Sequence, residues 1–115
     1  MRTILCVDDH SPTLLTLSLV FQSAGYVCLT ASNFEESKRA FAAEHIDLVV
    51  VDHGLPGING TAIAAHLKNI RAVTVLMLSG SVELGEKPES VDLLLPKPVA
   101  PQELLDAVAR LLRTE

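Results

Sequence analysis

A chain of 115 residues, 49% of them apolar, is long enough to bury a proper core and reads as one domain over residues 1–115. With no Trp and one Tyr that core must be aliphatic, and a net charge of −5 with nine scattered Lys and Arg speaks against direct contact with nucleic acid. No apolar run reaches transmembrane length, and the N-terminus lacks the apolar stretch and cleavage site of a signal peptide; a cytoplasmic protein without membrane insertion is expected.

Strand and helix patterns alternate along the chain. Residues 3–7 read as a strand. A helix follows over residues 12–24, with Leu14, Leu17 and Phe21 on one face, Ser11 as N-cap and Gly25 ending it. Residues 27–30 form a short strand. Ser32 and Glu35 make a capping box that opens a second helix running to about residue 44. Residues 48–51 are almost continuously apolar, as a parallel strand covered on both faces should be. A third helix covers residues 61–69, with Ile63 and Leu67 on one side, and residues 74–78 form the fourth strand. Residues 81–91 break the rhythm: Gly85, Pro88 and several charges leave no amphipathic period, so a helix here should be short or missing. Residues 92–95 give a fifth strand. The last helix starts at Pro101 and carries Leu104, Leu105, Val108, Leu111 and Leu112 at helical spacing. Cys6 and Cys28 sit in apolar strands and are expected as buried, reduced thiols rather than a metal pair or a disulfide.

This βα repeat with short connections predicts an α/β fold, a doubly wound five-stranded parallel sheet with helices on both faces. In such sheets ligands bind beyond the carboxyl ends of the strands. The most informative residue there is Asp52, which closes Leu48-Val49-Val50-Val51 before His53-Gly54-Leu55-Pro56-Gly57. Taken singly it could be a strand-end cap or a turn residue. The other strands add to it: the first ends in Asp8-Asp9, the fourth in Ser79, the fifth in Pro96-Lys97-Pro98. Asp8-Asp9 could merely cap the first helix, and Ser79 or Lys97 alone could be solvated strand-end residues. Their joint occurrence on one edge is what those readings explain poorly.

Three crowded carboxylates repel. At about 4 Å and an effective dielectric of about 20, each pair costs about 4 kcal/mol, a penalty that a divalent cation removes. An all-oxygen set suits Mg²⁺, and His10 and His53 are the edge's only nitrogen ligands for a softer metal. With the Lys97 charge and the Ser79 hydroxyl, the edge could clamp phosphoryl oxygens, and Asp52, from the central strand, is the natural nucleophile for an aspartyl-phosphate.

The motifs Val7-Asp8-Asp9, Asp52-His53-Gly54-Leu55-Pro56 with Asn59-Gly60, Met77-Leu78-Ser79-Gly80 and Leu95-Pro96-Lys97-Pro98 resemble the receiver domain of bacterial two-component response regulators. The resemblance spans residues 4–112. It implies a flavodoxin-like strand order 2-1-3-4-5, with Asp52 as phosphoacceptor. It also implies Mg²⁺ held by Asp9, Asp52 and the backbone carbonyl of Gly54, with Asp8 acting mainly through water. Ser79 and Lys97 would contact phosphoryl oxygens, and Lys97-Pro98 would be a cis bond. The phosphoryl group would come from a histidine kinase or phosphotransfer protein and pass information to an unknown output partner. Such a protein is a regulator rather than an enzyme, catalysing its own phosphoryl transfer and dephosphorylation.

The chain departs from the receiver pattern in three places. Leu94 stands where receivers usually carry an aromatic, Gly80 replaces the usual Ala after the hydroxyl residue, and the stretch from Ser79 to Lys97 is shorter than usual. Output is therefore expected through ordering of an irregular segment over residues 81–91. Partner contacts would then use the first or last helix, the latter with Arg110 and Arg113, rather than an aromatic switch. Two other readings remain at this stage, a metal-dependent phosphohydrolase on a similar sheet and a non-phosphorylated pseudo-receiver that only binds partners. Against the first, Gly54 stands where a second acid would be needed and no insertion could form a cap; against the second, all five site residues are present.

Overall fold

A computed structural model describes residues 1–80 and 87–113. Its elements run β1 (Thr3–Val7), α1 (Ser11–Ser23), β2 (Val27–Ala31), α2 (Phe34–Ala43), β3 (Leu48–Asp52), α3 (Gly60–Ile70), β4 (Thr74–Ser79), β5 (Leu93–Pro96) and α4 (Pro101–Arg113). The five strands form one parallel sheet in the order β2-β1-β3-β4-β5.

The period of two in each strand divides the core. Leu5, Val7, Val49, Val51, Val75 and Met77 face one layer, where Phe41 of α2 and Ile63 and Leu67 of α3 cover them. Ile4, Cys6, Leu48, Val50, Leu76 and Leu78 face the other, under Leu14, Leu17 and Phe21 of α1 and Leu104, Val108 and Leu112 of α4. Both faces are apolar, which is why the central strands read as unbroken hydrophobic runs. Among the described residues, no buried side-chain nitrogen or oxygen lacks a hydrogen-bond partner.

Two expected caps move by one residue. The N-cap of α1 is His10, not Ser11, and its side chain makes no capping bond. Ser11 is instead the first helical residue, because the Asp8 carboxylate accepts the His10 backbone N–H at 2.9 Å and turns the chain into the helix one step earlier. At α2 the N-cap is Asn33, whose Oδ1 accepts the Glu36 N–H. Glu36, rather than Glu35, reaches back to the Ser32 backbone N–H at 2.7 Å and to its hydroxyl at 2.8 Å. Asn and Ser are near-equal caps, so local chemistry did not separate them. Gly25 follows α1 in the left-handed region at φ +92°, where a Cβ is disfavoured.

The expected short or missing helix between β4 and β5 falls largely on residues 81–86, outside the described residues. The stretch at residues 87–91 is a turn: Val91 N–H donates to the Pro88 carbonyl, Lys87 Nζ to the Val91 carbonyl and the Ser90 hydroxyl to the Thr61 carbonyl of α3. Val91 itself is buried. The fifth strand starts at Leu93 rather than Asp92, since the Asp92 side chain is occupied in accepting the Val75 N–H.

Candidate functional site

Register brings the polar strand ends together. Val7 lies opposite Val51, so Asp8 and Asp52 are the next residues on adjacent strands. Asp52 pairs with Leu78 and Ser79 with Pro96, which sets Lys97 one step beyond the edge of β5. Two backbone bonds extend the ladder past the strands: His53 N–H to the Leu78 carbonyl at 3.0 Å and Lys97 N–H to the Ser79 carbonyl at 2.8 Å.

Ligand oxygens of Asp8, Asp9 and Asp52 all lie within 4.8 Å of one another. Asp8 is buried, Asp52 half-buried and Asp9 exposed, so the cluster opens to solvent on the Asp9 side. Lys97 Nζ donates to Asp52 Oδ1 at 2.6 Å and stands 4.0 Å from Asp8 Oδ2. The other Asp52 oxygen, Oδ2, borders Gly54, where an added Cβ would sit 3.7 Å from it. Ser79 is buried at the end of β4. The peptide bond between Lys97 and Pro98 is cis.

One cation does not balance three acids. Burial pushes the Asp8 carboxyl above its ordinary value, and the charges of Asp52 and Asp9 push the same way; the His10 N–H and Lys97 offset this only in part. Asp8 thus serves two purposes, holding the entry of α1 through Oδ1 and adding its charge to the cluster. His10 stands outside this cluster, with its Nδ1 2.7 Å from the Thr13 hydroxyl. The donor set is all oxygen, it carries surplus negative charge, and it is open on one side. This fits a hard divalent cation that keeps several waters.

The loop after Asp52 is fixed by close packing. Asn59 caps α3 by accepting the Ala62 N–H, and the Gly60 N–H donates to the His53 carbonyl. A Cβ at Gly60 would overlap the Asp52 carbonyl, so this glycine lets α3 start directly against the Asp52 backbone. Composition alone marks Asn59-Gly60 only as a turn signal; the contact it permits is a tertiary fact. At two of the three departures, Leu94 packs half-buried against the α2–α3 core layer, and a Cβ at Gly80 would meet nothing within 4 Å among the described residues.

A parallel sheet with acids on two neighbouring strand ends, a hydroxyl on the third and a lysine on the fourth defines a phosphoacceptor type of signalling domain. The family profile of the response regulator receiver domain matches residues 4–109, and the chain belongs to that family. It is 29% identical to the phosphate regulon transcriptional regulatory protein PhoB of Pseudomonas aeruginosa, over 97% of this chain and 52% of that protein. It is 30% identical to the alkaline phosphatase synthesis transcriptional regulatory protein PhoP of Bacillus subtilis, over 97% of this chain and 49% of that one. The chain therefore spans about half the length of the curated relatives it matches. A receiver domain protein from Clostridium thermocellum superposes with a TM-score of 0.91 at 29% identity, covering 99% of this chain and 96% of that one. The response regulator protein TrrA from Thermotoga maritima, solved in complex with Mg²⁺–BeF, superposes with a TM-score of 0.87 at 28% identity, covering 96% and 99%. The chain is accordingly a phosphoacceptor signalling domain of the two-component type. No described helix is long and apolar enough to cross a membrane.

Proposed function

We propose that residues 1–115 form a single receiver domain whose phosphoacceptor is Asp52, working with Mg²⁺ at the rim of the sheet. The observation that carries this reading is the gathering of Asp8, Asp9 and Asp52 within 4.8 Å beside a lysine 2.6 Å from Asp52. Asp9, Asp52 and the Gly54 carbonyl would hold the cation, with Asp8 assisting mainly through water. When bound, Mg²⁺ neutralises the acids and phosphoryl oxygens that must approach one another. An Asp52 carboxylate oxygen attacks phosphorus, a new O–P bond forms, and the bond from phosphorus to the donor's nitrogen or oxygen breaks. Lys97 keeps one Asp52 oxygen oriented before the attack and meets the incoming phosphoryl oxygens, as does the Ser79 hydroxyl. The phosphoryl donor is a histidine kinase or a phosphotransfer protein, and the setting is cytoplasmic. With Leu94 in place of a ring, output does not run through aromatic rotation.

Acetyl phosphate with Mg²⁺, read by mass spectrometry, tests the assignment. The wild-type chain should gain one phosphoryl group, and Asp52→Asn should gain none while keeping its fold by circular dichroism. Single phosphorylation of the variant would refute Asp52. Turnover of phosphate esters would favour a hydrolase, and an inert wild-type chain a domain that only binds partners.

A further inference from the structure

The two cysteines are neighbours. Cys6 Sγ and Cys28 Sγ are 3.7 Å apart, both reduced, on the layer covered by α1. Sequence suggested two buried thiols, but only Cys6 is fully buried; Cys28 is half-exposed because β2 is an edge strand. Register sets Cys6 opposite Thr30 and Cys28 opposite Ile4, so the thiols meet on a diagonal between adjacent strands.

The two sulfurs are chemically unequal. Cys6 is fully buried under α1, whereas Cys28 on the edge strand is only half-buried. Hydrogen bonds from Cys6 and from Ser18 of α1 bring Cys28 down from its ordinary value, against the effect of burial. A pocket of about 320 Å³ lies over this part of the sheet, lined by Ser11, Leu14, Leu15, Ser18 and Thr30. Its wall includes the serine that contacts Cys28 and the residue two further along the same strand. Cys28 is partly exposed and Cys6 is fully buried, so a small oxidant reaches Cys28 first.

We propose that Cys6 and Cys28 form an oxidisable dithiol, in which a hydroperoxide oxidises Cys28 and Cys6 then closes an intrachain disulfide. The Cys28 thiolate attacks one peroxide oxygen; the O–O bond breaks, an S–O bond forms, and the peroxide leaves reduced as alcohol or water. The Cys6 sulfur then attacks the sulfenic sulfur of Cys28. An S–S bond forms, the S–O bond breaks, and the Cys6 proton leaves with the hydroxide as water. Closure brings the sulfurs from 3.7 Å to about 2.05 Å, a movement open to β2 because no strand pairs on its outer side. The inference is independent of phosphorylation at Asp52.

Treating the chain with hydrogen peroxide, unfolding it and alkylating with iodoacetamide tests the proposal. Expected is a monomer in which both cysteines escape alkylation, lighter than the reduced chain by two hydrogens, with full alkylation restored by dithiothreitol. Cys6→Ala should halt at a Cys28 sulfenic acid that dimedone traps, and Cys28→Ala should leave Cys6 alkylatable. The proposal is overturned if both wild-type cysteines still alkylate after peroxide, if oxygen is retained without loss of hydrogens, or if the disulfide joins two chains.

Discussion

Two lysine–aspartate pairs of almost equal length do opposite things in this molecule. Lys68 Nζ lies 2.8 Å from Asp92 Oδ2, between α3 and the start of β5. Lys97 Nζ lies 2.6 Å from Asp52 Oδ1 at the carboxyl rim. At Asp92, burial pushes the carboxyl up, but the bonds from Lys68 and the Val75 N–H outweigh it, and the carboxyl ends below its ordinary value. The Asp92 N–H returns a bond to the Val75 carbonyl, so the pair is stitched to β4 on both sides. At the rim one lysine faces two of the three clustered acids, Asp52 and Asp8, and burial together with the neighbouring acids pushes Asp8 up. An ion pair whose demands are met within the protein supports the fold. A surplus of acids at a strand edge leaves a site with chemistry to do.

The largest effect that would sharpen this contrast is filling the rim. Mg²⁺ at 100 times its Kd should add about 2.7 kcal/mol to the stability of the wild-type chain. Asp9→Ala, which removes the most exposed acid, should erase most of that gain. Thermal melts across a Mg²⁺ titration measure both; equal shifts would take Asp9 out of the site.

A smaller effect is expected at the satisfied pair. Asp92→Ala leaves the buried Val75 N–H without its acceptor and should cost about 1–3 kcal/mol in urea unfolding, whereas Asp92→Asn, which can still accept, should cost less. The folded-state value of Asp92 is depressed, so its contribution is present above the unfolded carboxyl value of about 3.9. It is lost as pH falls through the folded value. The gap between wild type and Asp92→Asn should accordingly narrow in acid, and a gap independent of pH would contradict the role given to its charge.

Asp8 carries the opposite sign and the smallest effect. Its folded value is raised, so the stability it contributes is complete below the unfolded value and is lost as pH rises through the folded one. With chelator present at neutral pH, Asp8→Asn should therefore be modestly more stable than wild type, keeping an acceptor for the His10 N–H. The difference should vanish in acid. A destabilised Asp8→Asn at neutral pH would show that the α1 entry, rather than the repulsion, governs this position.

Much of the site was legible because a parallel strand that ends in a polar residue can put it only at the carboxyl rim. Asp8, Asp52, Ser79 and Lys97 each follow an apolar run, and the sheet aligned them. Less legible was anything set by one hydrogen bond or one contact. Asn33 over Ser32 as cap, and Asp92 leaving β5 to serve β4, each depend on which neighbour was within reach.

The amino-acid sequence by itself determined the alternation of strands and helices, the two-faced aliphatic sheet and the identity of the rim residues, because periodicity and strand-end position are local properties. Only the tertiary structure decided that Lys97 sits on Asp52 rather than Asp8, that Gly60 must press against the Asp52 backbone, and that Cys6 and Cys28 touch. Those outcomes depend on register and twist between strands far apart in the chain, and a local pattern carries no information about either.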